Sequence, residues 1–423
     1  RHIFSPQVLA TTMVTHARNR VSMSALEYPW PGDTADTSES KLTMRVSDAG
    51  LKEDFTVFVD SGQTLKFGAE AKRFDLSDYL GADTVVFWNL HERPWYVALY
   101  GADKWRPWQP LLINAGVRAE YFTGGGYFRA FPRVSAKYFL REDLAVSAGY
   151  GLYYQYLSIP FPRDEMIAML PATFFQQWIP ASDKYPPVSA AHYVLGGEKW
   201  FSDDVQMSVE GYYKQMANLL ETGSMLPGIG EEPGADDTVR FNVGSGWAAG
   251  GEVLLRRKGS WVGYSLAFTR RTFDSTSFYP IFDARHNFNL AWTARLGRGW
   301  NLNLQWLFRS GFPYTGPIGQ FQYVGEFGGR MPGYYEPYYY WIPVSGRRGN
   351  YRLPPYHRLD VGVEKAFRLF GADWAFYFQV INAYAQKNVL WYEYRTDEHG
   401  RIVREPMSIL PFPLPSFGIR GGF

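Results

Sequence analysis

The sequence predicts an all-β chain, a transmembrane antiparallel β-barrel of the outer membrane. Three observations carry that prediction. Apolar and polar residues alternate with a period of two along almost the whole chain, down to Phe417, Ile419 and Phe423 at its carboxy terminus. The connections between these segments alternate between short and long, as they do when turns face one side of a membrane and loops the other. Aromatic residues make up 18% of the 423 residues, which two interfacial girdles would use.

Taken in order, the first clear strand has Leu111, Ile113, Ala115, Val117, Ala119 and Tyr121 on one face and Asn114, Gly116, Arg118 and Glu120 on the other. Leu144, Val146, Ala148, Tyr150, Leu152, Tyr154 and Tyr156 form the next apolar row. Val205, Met207, Val209 and Tyr213 face away from Gln206, Ser208, Glu210 and Lys214. Phe288, Leu290, Trp292, Ala294 and Leu296 are followed by the turn Gly297-Arg298-Gly299. Trp300, Leu302, Leu304, Trp306 and Phe308 then run back opposite Asn301, Asn303, Gln305 and Arg309. A face of aliphatic and aromatic residues backed by an amide-rich one fits lipid outside and water inside; a soluble sandwich would more often carry Lys and Glu there. Leu359, Val361, Val363 and Phe367, then Trp374, Phe376, Phe378 and Val380, continue the pattern to the terminal strand, which is read as the one that closes the barrel.

About 16 such strands are expected, each near the length a tilted membrane strand needs. Short turns fall at 60–64, 107–110, 140–143, 201–204, 258–260, 297–299 and 368–373. Long connections fall at 27–40, 79–92, 158–189, 221–244, 275–282, 315–355 and 386–414, with the tight turn at 122–127 as the exception. Parity then places the long loops outside the cell and both termini in the periplasm.

Composition narrows the function. Mean hydropathy is −0.28, and no apolar run approaches the length of a membrane-spanning helix. A formal net charge of +2 with no long Lys/Arg run gives no nucleic-acid groove. The absence of cysteine excludes disulfide frameworks, thiolate metal sites and cysteine nucleophiles. Arg1 opens inside a segment that reads as strand, so an amino-terminal part outside this chain is expected.

Several stretches, among them "WYVALYGADKWRP", "FPRVSAKYFLREDLAVSAGYGLYYQYL", "FDARHNFNLAWTARLGRGWNLNLQWLFRSGFPYT" and "YRLPPYHRLDVGVEKAF", resemble TonB-dependent receptors in their barrel portion, in particular the Bacteroidetes-type branch. The resemblance runs from about residue 40 to Phe423. It implies a barrel of about 22 strands around a plugged lumen. Residues 1–423 would then be its carboxy-terminal part, with the plug domain and first strands absent. It further implies an outer-membrane transporter that binds substrate at extracellular loops and imports it through the lumen, working with the TonB system through the missing amino-terminal region. Two alternatives stay open: a non-energised porin-like pore, and a structural or docking barrel subunit that holds a surface lipoprotein.

Candidate site residues lie in the loops. Tyr334, Tyr335, Tyr338, Tyr339, Tyr340 and Trp341 sit in the longest one, where rings with polar handles can hold a ligand or pack the loop on itself. Phe174, Phe175 and Trp178 form a second cluster, over the barrel mouth or merely capping it. Asp283, Arg285 and His286 are read as a structural rim group, since no nucleophile or orienting partner accompanies them. Glu231-Glu232 and Asp236-Asp237 read as solvated charge. Arg118, Glu120, Arg295, Arg309, Arg358 and Asp360 face the lumen, where they would contact a plug or tune ion passage. No catalytic residue, metal site or cofactor is expected. The expected partners are outer-membrane lipid, the TonB system, a surface lipoprotein and a substrate of open identity, with no nucleic acid.

Overall fold

A computed structural model describes residues 1–27, 38–83, 85–161, 178–222, 241–325, 338–397 and 400–422. Its wall strands are β1 (His2–Ser5), β2 (Val8–Glu27), β3 (Ser38–Phe58), β4 (Gln63–Ala82), β5 (Trp95–Trp108), β6 (Leu111–Phe122), β7 (Tyr127–Arg141), β8 (Leu144–Gln155) and β9 (Val188–Ser202). They continue with β10 (Val205–Thr222), β11 (Phe241–Arg257), β12 (Ser260–Phe273), β13 (His286–Gly297), β14 (Trp300–Arg309), β15 (Tyr356–Leu369), β16 (Ala372–Ile381) and β17 (Leu414–Gly422). Each pairs antiparallel with the one before it, from β1–β2 to β16–β17, in one up-and-down meander. The expected count of about 16 strands is borne out by β2 to β17, with β1 a short addition. Among the described residues, no ladder joins β17 to β1 or β2.

The register explains the two faces. Val14, Leu51, Ala71, Val97, Tyr121 and Phe128 lie directly opposite one another across β2 to β7. Val14 is 79% exposed and Phe128 61%. A band this wide of apolar side chains open to the surroundings needs a cover, and around a membrane barrel lipid supplies it. One residue along, Lys52, Glu70, Ala98 and Glu120 make the opposing row, the polar face that a barrel turns inward.

Short connections gather at one end, between β3 and β4, β5 and β6, β7 and β8, and onward in every second position. Three of them use residues in the left-handed region: Gly259, then Gly297, Arg298 and Gly299 with φ of 86°, 50° and 79°, then Phe370 and Gly371.

The long connections differ from expectation in a consistent way. Segment 79–92 is largely strand, because β4 runs on past the apolar band and Val85–Glu92 folds back on it; of segment 27–40 only 27 and 38–40 are described, and these belong to β2 and β3. Loop 315–355 holds the hairpin Pro317–Gly325/Tyr338–Ser345, and loop 386–414 holds Val389–Thr396/Ile402–Ser408. Tyr156, expected in the outward row of β8, lies just past that strand's end and is buried; its ring stacks on Phe122 with centroids 4.9 Å apart.

Candidate ligand-binding surface

On the long-loop side the chain brings together four tyrosines from three segments. Pro313–Tyr314 pairs with Tyr351–Arg352, so Tyr314 and Tyr351 stack at 5.7 Å. The hairpin Val389–Thr396/Ile402–Ser408 adds Tyr392, 5.6 Å from Tyr314, and Tyr394, whose hydroxyl donates to the Tyr314 hydroxyl at 3.4 Å. Arg404 donates to the same Tyr314 oxygen at 3.2 Å and lies 4.3 Å over the Tyr392 ring. Burial, and then the bond to Tyr314, pushes the Tyr394 phenol above its ordinary pKa, while the Tyr314 oxygen raises that of the Arg404 guanidinium. Arg404 therefore stays charged beside the neutral Tyr394 phenol. Tyr351, Tyr394 and Arg404 line an open cleft together with the strand segment Pro317 to Gln320.

The residues expected to form the site fall differently. Tyr338, Tyr339 and Tyr340 lie on the returning strand of the first hairpin, paired with Gly325, Val324 and Tyr323. Trp341 is 40% exposed, and its ring packs against the turn at Gly400, where an added Cβ would meet Trp341 Cζ2 at 2.7 Å. The side-chain amide of Gln320 also donates to the Gly400 carbonyl, so Trp341 joins two hairpins. Trp178 is half-buried just before the two-residue strand Ile179–Pro180, which pairs with Leu157–Ser158. Phe417 and Ile419 sit in β17 opposite Phe378 and Phe376, with Phe417 74% exposed. Tyr334, Tyr335, Phe174, Phe175, Phe423 and the acidic pairs 231–232 and 236–237 lie outside the described residues. The tyrosine group around Tyr314 was missed because Tyr351, Tyr392 and Tyr394 lie 37, 78 and 80 residues from Tyr314 in sequence.

Below this rim the inner face carries an ion-paired network. Arg118 donates to Glu120 at 2.6 Å, to Glu70 at 2.7 Å and to the Tyr96 hydroxyl at 2.7 Å. Lys72 pairs with Glu70 and Lys52 with Asp54, each at 2.9 Å, and Tyr100 donates to Asp54. On the same inner face, in β15, Arg358 donates to Asp360 at 2.8 Å, and the Asn382 backbone N–H donates to the same carboxylate at 2.9 Å. Arg309 lies 4.0 Å over the Phe312 ring.

At the rim, Asp283 is fully buried and accepts the Thr269 backbone N–H at 2.8 Å and Arg352 Nη2 at 2.5 Å. Arg352 Nη1 also donates to the carbonyls of Asp283 and Gly311, at 2.9 and 3.0 Å. The expected Asp283 group is thus a latch between loop segments. Its essential partner is Arg352; Arg285 stands 3.7 Å from Asp283, and His286 bonds instead to the Tyr264 hydroxyl at 2.8 Å.

A lipid-facing wall, a charged interior and hairpins gathered at one end define a membrane β-barrel of the receptor type. The chain belongs to the TonB dependent receptor-like, beta-barrel family, whose model matches residues 13–383. This is an outer-membrane family of receptors and transporters, not enzymes. Among solved structures, FpvA of Pseudomonas aeruginosa bound to a pyoverdine–iron complex is similar with a TM-score of 0.62 at 11% identity, over 99% of this chain and 54% of that one. The ferric-catecholate import receptor Fiu of Escherichia coli K12 matches with 0.61 at 13% identity, over 100% and 63%. BauA, the ferric preacinetobactin receptor of Acinetobacter baumannii, matches with 0.56 at 10% identity, over 98% and 60%. The chain thus spans 54% to 63% of the length of these structures. No curated protein matches the sequence.

Proposed function

We propose that the whole protein is an outer-membrane TonB-dependent transporter that captures its ligand at the long-loop side and passes it through the barrel lumen. In this reading residues 1–423 are the carboxy-terminal part of a larger barrel, and β17 closes on a strand outside the chain. The span of 54% to 63% of the solved receptors supports that division. The plug and the TonB contact then lie in sequence outside this chain, and the Arg118 and Arg358 networks face the plug.

The observation that carries the ligand-capture step is the group Tyr314, Tyr351, Tyr392, Tyr394 and Arg404, four rings and one guanidinium beside an open cleft. Rings supply flat contact area and hydroxyl handles; the guanidinium supplies one anion-binding fork. That chemistry suits a small anionic ligand with planar groups, such as a ferric chelate. Ferric chelates are what the solved receptors named above bind.

The test is titration of the full-length protein in detergent with ferric citrate and a ferric catecholate, read by quenching of intrinsic fluorescence. Arg404 is exposed, so Arg404→Ala should leave the fold intact and weaken binding at least about tenfold, or about 1.4 kcal/mol. Unchanged affinity for a chelate that does bind would remove the group from the ligand site.

A further inference from the structure

The outward face of β2, β3 and β4 changes character over a few residues. The Val14–Leu51–Ala71–Val97 row is apolar. Toward the long-loop end, the next outward row is His16, Ala49, Arg73 and Trp95; then come Arg18, Ser47 and Asp75; then Arg20, Arg45, Ser77 and His91. Successive rows are about 7 Å apart along a strand. Arg73 lies 5.6 Å over the Trp95 ring, and Trp95 with Tyr121 and Phe128 gives that end an aromatic edge. The polar strip therefore begins where the apolar band stops.

Its charge is one-sided. Arg18, Arg20, Arg45 and Arg73 are joined by Arg93 from the neighbouring connection, against a single carboxylate. Asp75 is shared by Arg45 at 3.4 Å and Arg93 at 3.6 Å. Among the described residues, Arg18 and Arg20 have no carboxylate within ion-pair distance, and both are exposed. Arg20 and Arg45 stand directly opposite each other across the β2–β3 ladder, an unfavourable like-charge pairing that Asp75 offsets only on the Arg45 side. Nothing in sheet geometry calls for five guanidinium groups here.

We propose that this strip is a recognition site for the phosphorylated headgroup of an outer-leaflet lipid. Guanidinium groups bind phosphate in a bidentate fork, and the strip stands at the height where a lipid seated against Val14, Leu51 and Val97 carries its phosphates. The acyl chains would cover the apolar row while the phosphates bridge Arg20, Arg45 and Arg73. The inference rests on the reading that this chain sits in the outer membrane with its long-loop end at the cell surface.

The experiment is native mass spectrometry of the full-length protein in detergent, titrated with purified lipopolysaccharide and with the same lipid after enzymatic dephosphorylation. The wild type should retain the phosphorylated form preferentially. The triple variant Arg20→Ser, Arg45→Ser, Arg73→Gln should lose at least about tenfold in that retention. Arg256→Gln with Arg257→Gln, at the short-turn end, should change nothing. Heat-modifiable gel mobility reports whether each variant is folded; if the triple variant is not, Arg20→Ser alone should still lower retention measurably. Equal retention of the dephosphorylated lipid, or unchanged retention by a folded variant, overturns the proposal. Displacement of the lipid by millimolar inorganic phosphate also overturns it, in favour of a free-ion site. Fractionation of the protein away from the outer membrane would instead defeat the reading on which it rests, and is scored separately.

Discussion

Asp283 is carried into the gap between two loop segments with none of its side chain exposed, and Arg352 makes that position tolerable. Losing one member of a buried pair strands the other without water, which costs about 3–5 kcal/mol in a dry interior. Arg352 is itself 31% exposed and Arg285 stands nearby, so Arg352→Met should cost less, about 2 kcal/mol. The check is the thermal midpoint of the purified protein in detergent. Asp283→Asn should fall between the two, because its amide can still accept the Thr269 N–H. An unchanged midpoint for Arg352→Met would mean that the latch is idle. Residues of this kind were only half legible in the sequence. Arg118 and Glu120 announced themselves as an inward pair by their spacing on one strand. Glu70 and Tyr96, which complete the network, could not be read, because the register that sets them opposite one another is a property of the assembled sheet.

The strands and turns of the wall were the most legible elements, since two neighbouring environments as different as lipid and water write a period of two into the chain. The Gly297-Arg298-Gly299 turn is an example in which sequence and geometry agree closely. Gly299 has φ +79°, and a Cβ there would stand 2.4 Å from the Ala366 carbonyl oxygen of the neighbouring strand, which accommodates only by moving backbone. Gly299→Val should therefore destabilise the β13–β14 hairpin by about 2 kcal/mol or more and lower the yield of folded barrel, seen as loss of the heat-modifiable band. A normal yield and mobility would show that the turn has another conformation open to it. The outer hairpins were illegible for the converse reason. Tyr338–Ser345 and Val389–Thr396 have no lipid on one side, so their faces alternate weakly and their segments read as loop. Tyr338 to Trp341 of the aromatic run lie in a hairpin of the connection between β14 and β15, and the group that forms around Tyr314 draws on three segments whose meeting depends on the whole rim.

At the scale of the molecule, the alternation of short and long connections becomes a statement about sidedness. The short turns lie at one end of an unbroken meander, and both hairpins outside the main sheet spring from the other. An end built from turns of two to four residues presents little surface to a ligand, whereas the opposite end offers a cleft, a charged rim and the arginine strip. Capture from outside requires that second end to face the medium. The chain contains no cysteine, so a single introduced thiol reports its own position without background. Glu405, whose side chain is 45% exposed on the hairpin Ile402–Ser408, and Asp203, exposed in the turn between β9 and β10, are suitable reporters at the two ends. In intact cells expressing the full-length protein, a membrane-impermeant maleimide should label Glu405→Cys at once and should label Asp203→Cys only after the outer membrane is breached. Labelling in the reverse order would turn the barrel over, place the tyrosine group in the periplasm and end its claim to capture ligand. Labelling of both from outside would point to a protein that does not span the outer membrane, and the apolar row from Val14 to Phe128 would then need a protein partner rather than lipid to cover it.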